Sequence, residues 1–227
     1  MRIISRTTFC CGTIFRLTRV FFQLMRGVAR ISRLPKPVMS IFGGARLAKA
    51  DPYFQQAHEL AGRLAQAGIS VVTGGGPGAM EAASCGAYHH AEAGKGRSIG
   101  ISVRDLGEGK NPCTHEYLEL DYFFARKWLL TRYSSGFVVF PGGFGTLDEL
   151  AEVLTLMQTK KLAHVPIVLI GREYWHKFVE WLEDEVLRHG LVDEAALGMF
   201  TVTDDIDVAF KIIRDGCCVP SQEGGKS

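Results

Sequence analysis

The sequence has 227 residues, which is enough for one large domain with a sizeable buried core. Hydrophobic residues make up 47% of the chain and charged residues 22%, as in most globular proteins, and no apolar run approaches the roughly 20 residues that a membrane-spanning helix needs. The net charge of +2 is the sum of +8 in residues 1–37 and −6 in residues 38–227. Because residues 38–227 are mildly acidic, the sequence predicts no nucleic-acid partner.

The first predicted element is a basic amphipathic helix within residues 13–33. Its arginines fall on one side, and segment 1–37 contains no acid. At helical spacing the other side collects the apolar residues Ile14, Leu17, Val20, Phe21, Leu24, Met25, Val28 and Ile31. Such a helix either lies on an anionic membrane surface, acts as a targeting segment, or packs its apolar side on the domain or on a second subunit.

Residues 38–214 alternate short apolar strands with helices. The predicted strands are 38–42, 69–73, 98–103, 116–120, 136–140, 166–170 and 199–202. The predicted helices are 52–67, 79–93, 122–133, 146–159, a long helix closed by Gly190, and one capped by Asp204 that ends near residue 214. The pattern predicts an α/β fold, with a doubly wound, mostly parallel Rossmann-like sheet that binds ligands at the carboxyl ends of its strands. Residues 1–37 are then an appendage and residues 215–227 a disordered tail.

The cysteine pattern bears on the cellular setting. The six cysteines have no CxxC spacing, and four of them form two adjacent pairs. This pattern is typical neither of a disulfide framework nor of a tetrahedral zinc site. We therefore expect unpaired cysteines, no metal and a reducing, cytoplasmic compartment.

Two glycine-rich turns connect predicted strands to helices, TGGGPGAM at 73–80 and PGGFGT at 141–146. Without Cβ atoms, Gly142, Gly143 and Gly145 let backbone N–H groups approach an anion, and the helix N-terminus favours the same anion, typically phosphate. The alternative is that glycine serves only the conformation of the turn. A third, shorter turn at Gly43-Gly44 would lie at the same sheet edge, which favours a compact mononucleotide pocket over an extended dinucleotide site.

Glu149 and Arg126 are the candidate reactive residues. Glu149 either forms a T-x-x-E capping box with Thr146 or is a carboxylate, kept ionised by the helix dipole, that polarises water or stabilises a cation. Arg126 falls on the apolar side of its helix, so its guanidinium needs an anion, either Glu149 or Glu81 in a salt bridge or a substrate. Lys127 points to a different side of that helix.

Arg126-Lys127, followed by PGGFGTLDE at 141–149, resembles the PGGxGTxxE signature of the LOG family. These proteins are cytokinin riboside 5′-monophosphate phosphoribohydrolases and their bacterial relatives, long labelled lysine decarboxylases. The segments TGGGPGAMEAA at 73–83 and SIFGGAR at 40–46 are also similar to that family, so the resemblance covers residues 38–214. FFARK at 123–127 and TLMQTKK at 155–161 look more like its larger bacterial branch.

The resemblance implies hydrolysis of the N-glycosidic bond of a purine nucleoside 5′-monophosphate, of the AMP or cytokinin type, without a cofactor. It implies that Glu149 stabilises the ribosyl cation and orients water, and that Arg126 holds the substrate. The resemblance does not identify the preferred base, nor the acid that protonates the leaving base. It also implies a homodimer or larger assembly. The implied substrate-binding residues are Gly43, Gly44, Gly75, Gly76, Met80, Glu81, Lys127, Gly142, Gly143, Gly145 and Thr146.

Two other functions remain under consideration. One is a non-catalytic nucleotide or molybdenum-cofactor carrier of the same superfamily, which the presence of both Arg126 and Glu149 disfavours. The other is a pyridoxal-phosphate decarboxylase, which is disfavoured because no lysine lies in a recognisable cofactor setting.

Overall fold

A seven-stranded parallel sheet organises the residues that the computed structural model describes, which are 2–91, 96–107, 109 and 111–217, with side chains from residue 12 onward. The strands are β1 (Val38–Phe42), β2 (Ser70–Thr73), β3 (Ser98–Val103), β4 (Glu116–Leu120), β5 (Phe137–Val139), β6 (Ile167–Ile170) and β7 (Thr201–Thr203). Their order is β4-β3-β2-β1-β5-β6-β7. The chain therefore changes direction across the sheet between β1 and β5, and in such sheets ligands bind outside the carboxyl ends of the strands at this switch point.

Helices cover both faces of the sheet. They are α1 (Arg2–Ile31), α2 (Pro52–Gln66), α3 (Ala79–His90), α4 (Phe123–Arg132), α5 (Phe144–Gln158), α6 (Arg172–Trp181), α7 (Glu194–Leu197) and α8 (Ile206–Cys217), and α6 continues as a π-helical turn, Leu182–Leu187. On one face Met39 and Ile41 of β1 pack with α2, α3 and α8, while Val38 and Phe42 pack on the other face with α4, α5 and Trp175 of α6. The predicted doubly wound α/β fold is confirmed.

The last two predicted elements begin later than expected. The final strand starts at Thr201, and the final helix starts at Ile206. Asp205 caps that helix, because its Oδ1 accepts hydrogen bonds from the N–H groups of Asp207 at 2.7 Å and Val208 at 3.3 Å. Asp204, the predicted cap, instead accepts a hydrogen bond from the N–H of Arg172 at 2.7 Å, where α6 begins. Two adjacent aspartates left the sequence ambiguous, and the packing of α6 beside β7 decided between them.

The tail and the third helix also differ from the expectation. Residues 215–217 belong to α8, so the predicted disorder is wrong for them, and residues 218–227 lie outside the described residues. Helix α3 ends at His90, and of the three further residues assigned to it only Ala91 is described.

The N-terminal helix packs on the domain along one side. Val20, Ile31 and the following Leu34 are buried, and a Cβ at Gly27 would lie only 2.4 Å from Leu129 of α4. The interpretation that α1 packs on the domain is therefore confirmed for Val20, Leu24, Val28 and Ile31. It is wrong for Ile14, Leu17, Phe21 and Met25, which are exposed. The division at residue 37 remains a prediction.

Arginines fasten the same helix to β4 and the residue after it. Arg19 Nε lies 2.7 Å from Asp121 Oδ2, and Arg30 Nη1 lies 3.0 Å from Glu116 Oε2. No helix among the described residues is long and apolar enough to cross a membrane.

A disulfide joins Cys85 of α3 to Cys113, which precedes β4, and the two Cα atoms are 4.6 Å apart. The expectation of unpaired cysteines is wrong for this pair. The two residues are 28 positions apart, and only the packing of α3 beside the segment before β4 brings them together. The cytoplasmic setting, which rested on the cysteine pattern, remains a prediction without that support. The described residues contain no group of three or more His, Cys, Asp or Glu side chains that could hold a metal.

Three histidines cluster where α2 and α3 pack. The ring of His58 lies 5.8 Å from that of His90 and 6.1 Å from that of His89. The helices approach closely, since a Cβ at Gly86 would lie 1.9 Å from the carbonyl oxygen of His58. Burial, and then the charges of His90 and His89, lowers the pKa of His58.

We predict that His58 destabilises the fold in acid. In the unfolded chain its pKa returns to about 6.5, so near and below that pH the unfolded state binds the proton more readily. The free energy of unfolding contributed by this residue is therefore lost as the pH falls below about 6.5. Urea unfolding of His58→Gln should show a weaker fall in stability between neutral and acidic pH than the unchanged protein. His164→Gln, at an exposed loop residue, is the control, and an unchanged pH dependence in His58→Gln would contradict the prediction.

Candidate functional site

The three predicted glycine turns meet at the carboxyl ends of β1 and β5. The N–H of Gly44 donates to the carbonyl of Pro141 at 2.9 Å, and the carbonyl of Gly44 accepts from the N–H of Ala79 at 3.1 Å. A Cβ at Gly44 would lie 3.2 Å from Gly142 Cα. The turn after β1 therefore bridges the glycine turns that lead into α3 and α5.

Close backbone approach explains why glycine is needed at two of these positions. Gly78 has a φ of +67°, and a Cβ there would lie 2.2 Å from the carbonyl oxygen of Gly44. A Cβ at Gly142 would lie 2.8 Å from the backbone nitrogen of Gly44 and 2.1 Å from Thr146 Oγ1. Any side chain at either position would push the turns apart.

Helix α5 begins directly on its glycine turn. Its first residue is Phe144, and its N-cap is Gly143, which provides no side-chain hydrogen bond. Thr146 is the third residue of the helix and is buried, so the predicted capping box with Glu149 is wrong. The turn runs straight into helical geometry, with the N–H of Thr146 donating to Gly143 O at 3.0 Å.

One side of the same turn is open. A Cβ at Gly143 or Gly145 would meet no atom within 4 Å, and the side chain of Phe144 is 92% exposed. The turn therefore has open space beside a helix N-terminus, which is a favourable place for an anion.

Arg126 of α4 and Glu149 of α5 form a nearly buried ion pair. Arg126 Nη2 lies 3.0 Å from Glu149 Oε1, and the two side chains are 10% and 12% exposed. Of the two predicted anions, Glu149 is therefore the partner, whereas Glu81 pairs with Lys49 at 3.0 Å. The Nε of Arg126 is buried and has no hydrogen-bond partner among the described residues.

Gly74 makes room for this guanidinium. A Cβ at Gly74 would lie 2.4 Å from Arg126 Nη2 and 2.6 Å from Met80 Sδ. Arg126, Met80 and the turn after β2 are thus in direct contact. The resemblance to the LOG family implies Gly75 and Gly76 as site residues but not Gly74. Gly75, with a φ of +73°, backs instead on Tyr117, whose Cε2 would be 2.9 Å from an added Cβ.

Burial raises the pKa of Glu149 to about 7, against the lowering effect of Arg126 and then Lys127. Asp148 and Glu152 add to the increase. Loss of hydration therefore outweighs the favourable charges in their effect on this pKa, and the ionisation of Glu149 by the helix dipole stays a prediction. Both protonation states are accessible near neutrality, as general acid–base chemistry requires.

Lys127 binds a different set of acids from its neighbour Arg126. Its Nζ lies 2.7 Å from Asp148 Oδ2 and 3.0 Å from Glu152 Oε2. Burial alone would lower the pKa of Lys127, but these hydrogen bonds raise it overall. The two cations therefore pair with different acids of the same helix α5, and direct contact of Lys127 with substrate remains a prediction.

The remaining predicted residues line the turns. Gly43 packs on α3, where its added Cβ would lie 2.5 Å from that of Ala79, and Gly76 and Met80 are buried. Sequence reasoning missed two residues that hold these turns. The N–H of Asn111 donates to Gly75 O at 3.2 Å, and the hydroxyl of Tyr174 donates to the carbonyl of Gly142. Both come from distant segments, and no local motif marks them.

Three comparisons with known proteins bear on this site. A family model described as possible lysine decarboxylase matches residues 80–213, which include Arg126, Glu149 and the turn before α5. A pyrimidine/purine nucleotide 5′-monophosphate nucleosidase of Escherichia coli K12 is 27% identical over 196 residues. The match covers 83% of this chain but only 43% of that protein, so the chain corresponds to less than half of the relative.

Relatives of similar length are found in plants. The cytokinin riboside 5′-monophosphate phosphoribohydrolase LOG5 of Arabidopsis thaliana is 26% identical over 190 residues, which cover 80% of this chain and 82% of that one. Among solved structures, the molybdenum cofactor carrier protein of Chlamydomonas reinhardtii superimposes with a TM-score of 0.57 over 80% of this chain and 98% of that one, at 21% identity. This last likeness establishes a shared fold. Since the family model spans more than half of the chain, the protein belongs to the family described as possible lysine decarboxylases, the LOG family.

Proposed function

We propose that the protein hydrolyses the N-glycosidic bond of a purine nucleoside 5′-monophosphate to free base and ribose 5-phosphate. The observation that carries the proposal is the nearly buried pair of Arg126 and Glu149 beside the glycine turns. Relatives named as nucleotide monophosphate nucleosidases and phosphoribohydrolases support the reaction class. A homodimer or larger assembly is part of the same proposal, by analogy with the family.

The 5′-phosphate would bind at the N-terminus of α5. Gly142, Gly143 and Gly145 bring backbone N–H groups to this point, and the side of the turn at Gly143 and Gly145 is open. The N–H of Thr146 already donates to Gly143 O. Lack of Cβ atoms and the helix dipole both favour a doubly charged phosphate there.

Glu149 would act at the sugar. As the bond from C1′ to the base nitrogen breaks, its electron pair leaves with the base, and positive charge develops on the ribosyl group. The ionised carboxylate of Glu149 would stabilise that charge and orient a water molecule whose oxygen bonds to C1′. One proton of this water is released, and the departing base takes up a proton. Arg126 would hold the substrate through its guanidinium, whose Nη2 also contacts Glu149.

We expect Glu149→Gln to reduce base release by about 10²–10³-fold, as is typical when a group that stabilises transition-state charge is removed. Released base would be measured by chromatography with a panel of purine and pyrimidine nucleoside monophosphates. Binding of ribose 5-phosphate, measured by calorimetry, should persist. Glu152→Gln, one turn later on α5 and paired with Lys127, is the matched control and should retain most of the activity. Near-normal turnover by Glu149→Gln would contradict the catalytic role, and lack of turnover in the unchanged protein across the panel would favour a carrier.

We expect Arg126→Ala to lower turnover far more than Lys127→Ala. The first change removes the group that contacts Glu149 and Gly74, whereas the second removes a cation that pairs with Asp148 and Glu152. Circular dichroism would check that both variants fold, because a buried carboxyl left without its partner costs about 3–5 kcal/mol. Equal and small losses of turnover would assign Arg126 to an ordinary structural salt bridge.

The pH dependence should follow Glu149. If the ionised carboxylate is required, kcat/KM rises with pH through about 7, the pKa of Glu149. The substrate phosphate ionises near pH 6, so inhibition by ribose 5-phosphate over the same range is the control. A rate that instead falls as the pH rises through 7 would show that the protonated form of Glu149 is the active one.

A further inference from the structure

Helix α1 has an unpartnered apolar surface beside the side that packs on the domain. Six large side chains on the stretch from residue 14 to residue 25 are between 51% and 69% exposed. They form what we call the exposed strip, Ile14, Phe15, Leu17, Phe21, Phe22 and Met25. At about 100° per residue they occupy an arc roughly 160° wide, with Thr18 inside it and no charged residue. Monomeric proteins rarely leave so continuous an apolar surface uncovered.

Arginines border this strip along one edge. Arg19 and Arg30 are held by Asp121 and Glu116 of the domain. Arg26 lies on the same edge, and within the described part of the chain it has no ion pair. Positive charge therefore remains on this edge after Asp121 and Glu116 have paired with Arg19 and Arg30.

The charge of the segment identifies the kind of partner. Residues 1–37 carry +8 and contain no acidic residue. Contact between the exposed strips of two copies would therefore join two arginine-edged surfaces without a counter-charge from either helix. A bilayer with anionic headgroups supplies both the apolar layer and the negative charge.

We propose that α1 docks the protein on the surface of an anionic lipid bilayer, with the exposed strip inserted at the level between headgroups and acyl chains and the arginine edge among the headgroups. The ion pairs of Arg19 and Arg30 and the buried side of α1 keep the helix fixed on the domain during docking. This inference does not depend on the proposed enzymatic activity.

The full chain should sediment with vesicles of phosphatidylcholine and phosphatidylglycerol but not with vesicles of phosphatidylcholine alone. Leu17→Glu and Phe21→Glu place charge in the exposed strip without touching the core, and each should weaken vesicle binding by about tenfold or more. Leu191→Glu is the matched control, because Leu191 is 72% exposed outside α1, and it should bind vesicles as the unchanged protein does. Circular dichroism should show all three variants folded.

A second kind of variant tests the arginine edge. Arg26→Gln should weaken binding to the anionic vesicles by about fivefold, and added salt should weaken it further. Lys177→Gln, on the exposed side of α6, is the control for loss of one positive charge.

Three results would overturn the proposal. They are failure of the unchanged protein to bind anionic vesicles, equal binding to neutral and anionic vesicles, and unimpaired binding by the Leu17→Glu and Phe21→Glu variants. Light scattering distinguishes a second copy as the occupant. If the two variants reduce the mass of the assembly in solution while vesicle binding is unchanged, the strip is a subunit interface instead.

Discussion

The ion pair between Arg126 and Glu149 is the constraint on which the arrangement of the site depends. Each charge is nearly buried, and a buried charge without its partner is strongly destabilising. Side chains of α4 and α5 must therefore meet beside the glycine turns, at the edge of the sheet where β5 ends. The contacts of Lys127 with Asp148 and Glu152 fix the same two helices from their more exposed side. The pair also sets the chemistry, because burial moves the pKa of Glu149 into the neutral range.

The glycine turns complement this pair by removing side chains where backbones must meet. Gly44 contacts the turns before α3 and α5, and Gly78 and Gly142 could carry no Cβ without a clash. Gly74 leaves space for the guanidinium of Arg126. The result is a site in which one carboxyl and one guanidinium supply the side-chain charge, while the helix N-terminus supplies N–H groups for an anion. Such a division suits a substrate with a phosphate at one end and a bond to be broken at the other.

The N-terminal helix shows how one segment divides its residues among three environments. Val20 and Ile31 belong to the core, Arg19 and Arg30 pair with acids of the domain, and the exposed strip has no partner among the described residues. A hydrophobic pattern at helical spacing predicts such a helix, but its apolar arc is wider than the groove on α4 and β4 can cover. The part of the apolar arc that α4 and β4 leave uncovered is the exposed strip, and this strip makes α1 a candidate for docking on a bilayer.

The sequence alone determined the alternation of strands and helices, the parallel sheet, the glycine turns and the likeness of the motif containing Arg126 and Glu149 to the LOG family. These features depend on local periodicity, on turn residues and on short motifs, all of which are readable along the chain. Tertiary structure alone decided that Thr146 is not a cap, that Gly74 rather than Gly75 contacts Arg126, and that Cys85 meets Cys113. It also decided which side of α1 is buried and how far the pKa of Glu149 rises. Each of these depends on distances between segments remote in sequence and on the exclusion of water, and no local pattern encodes either.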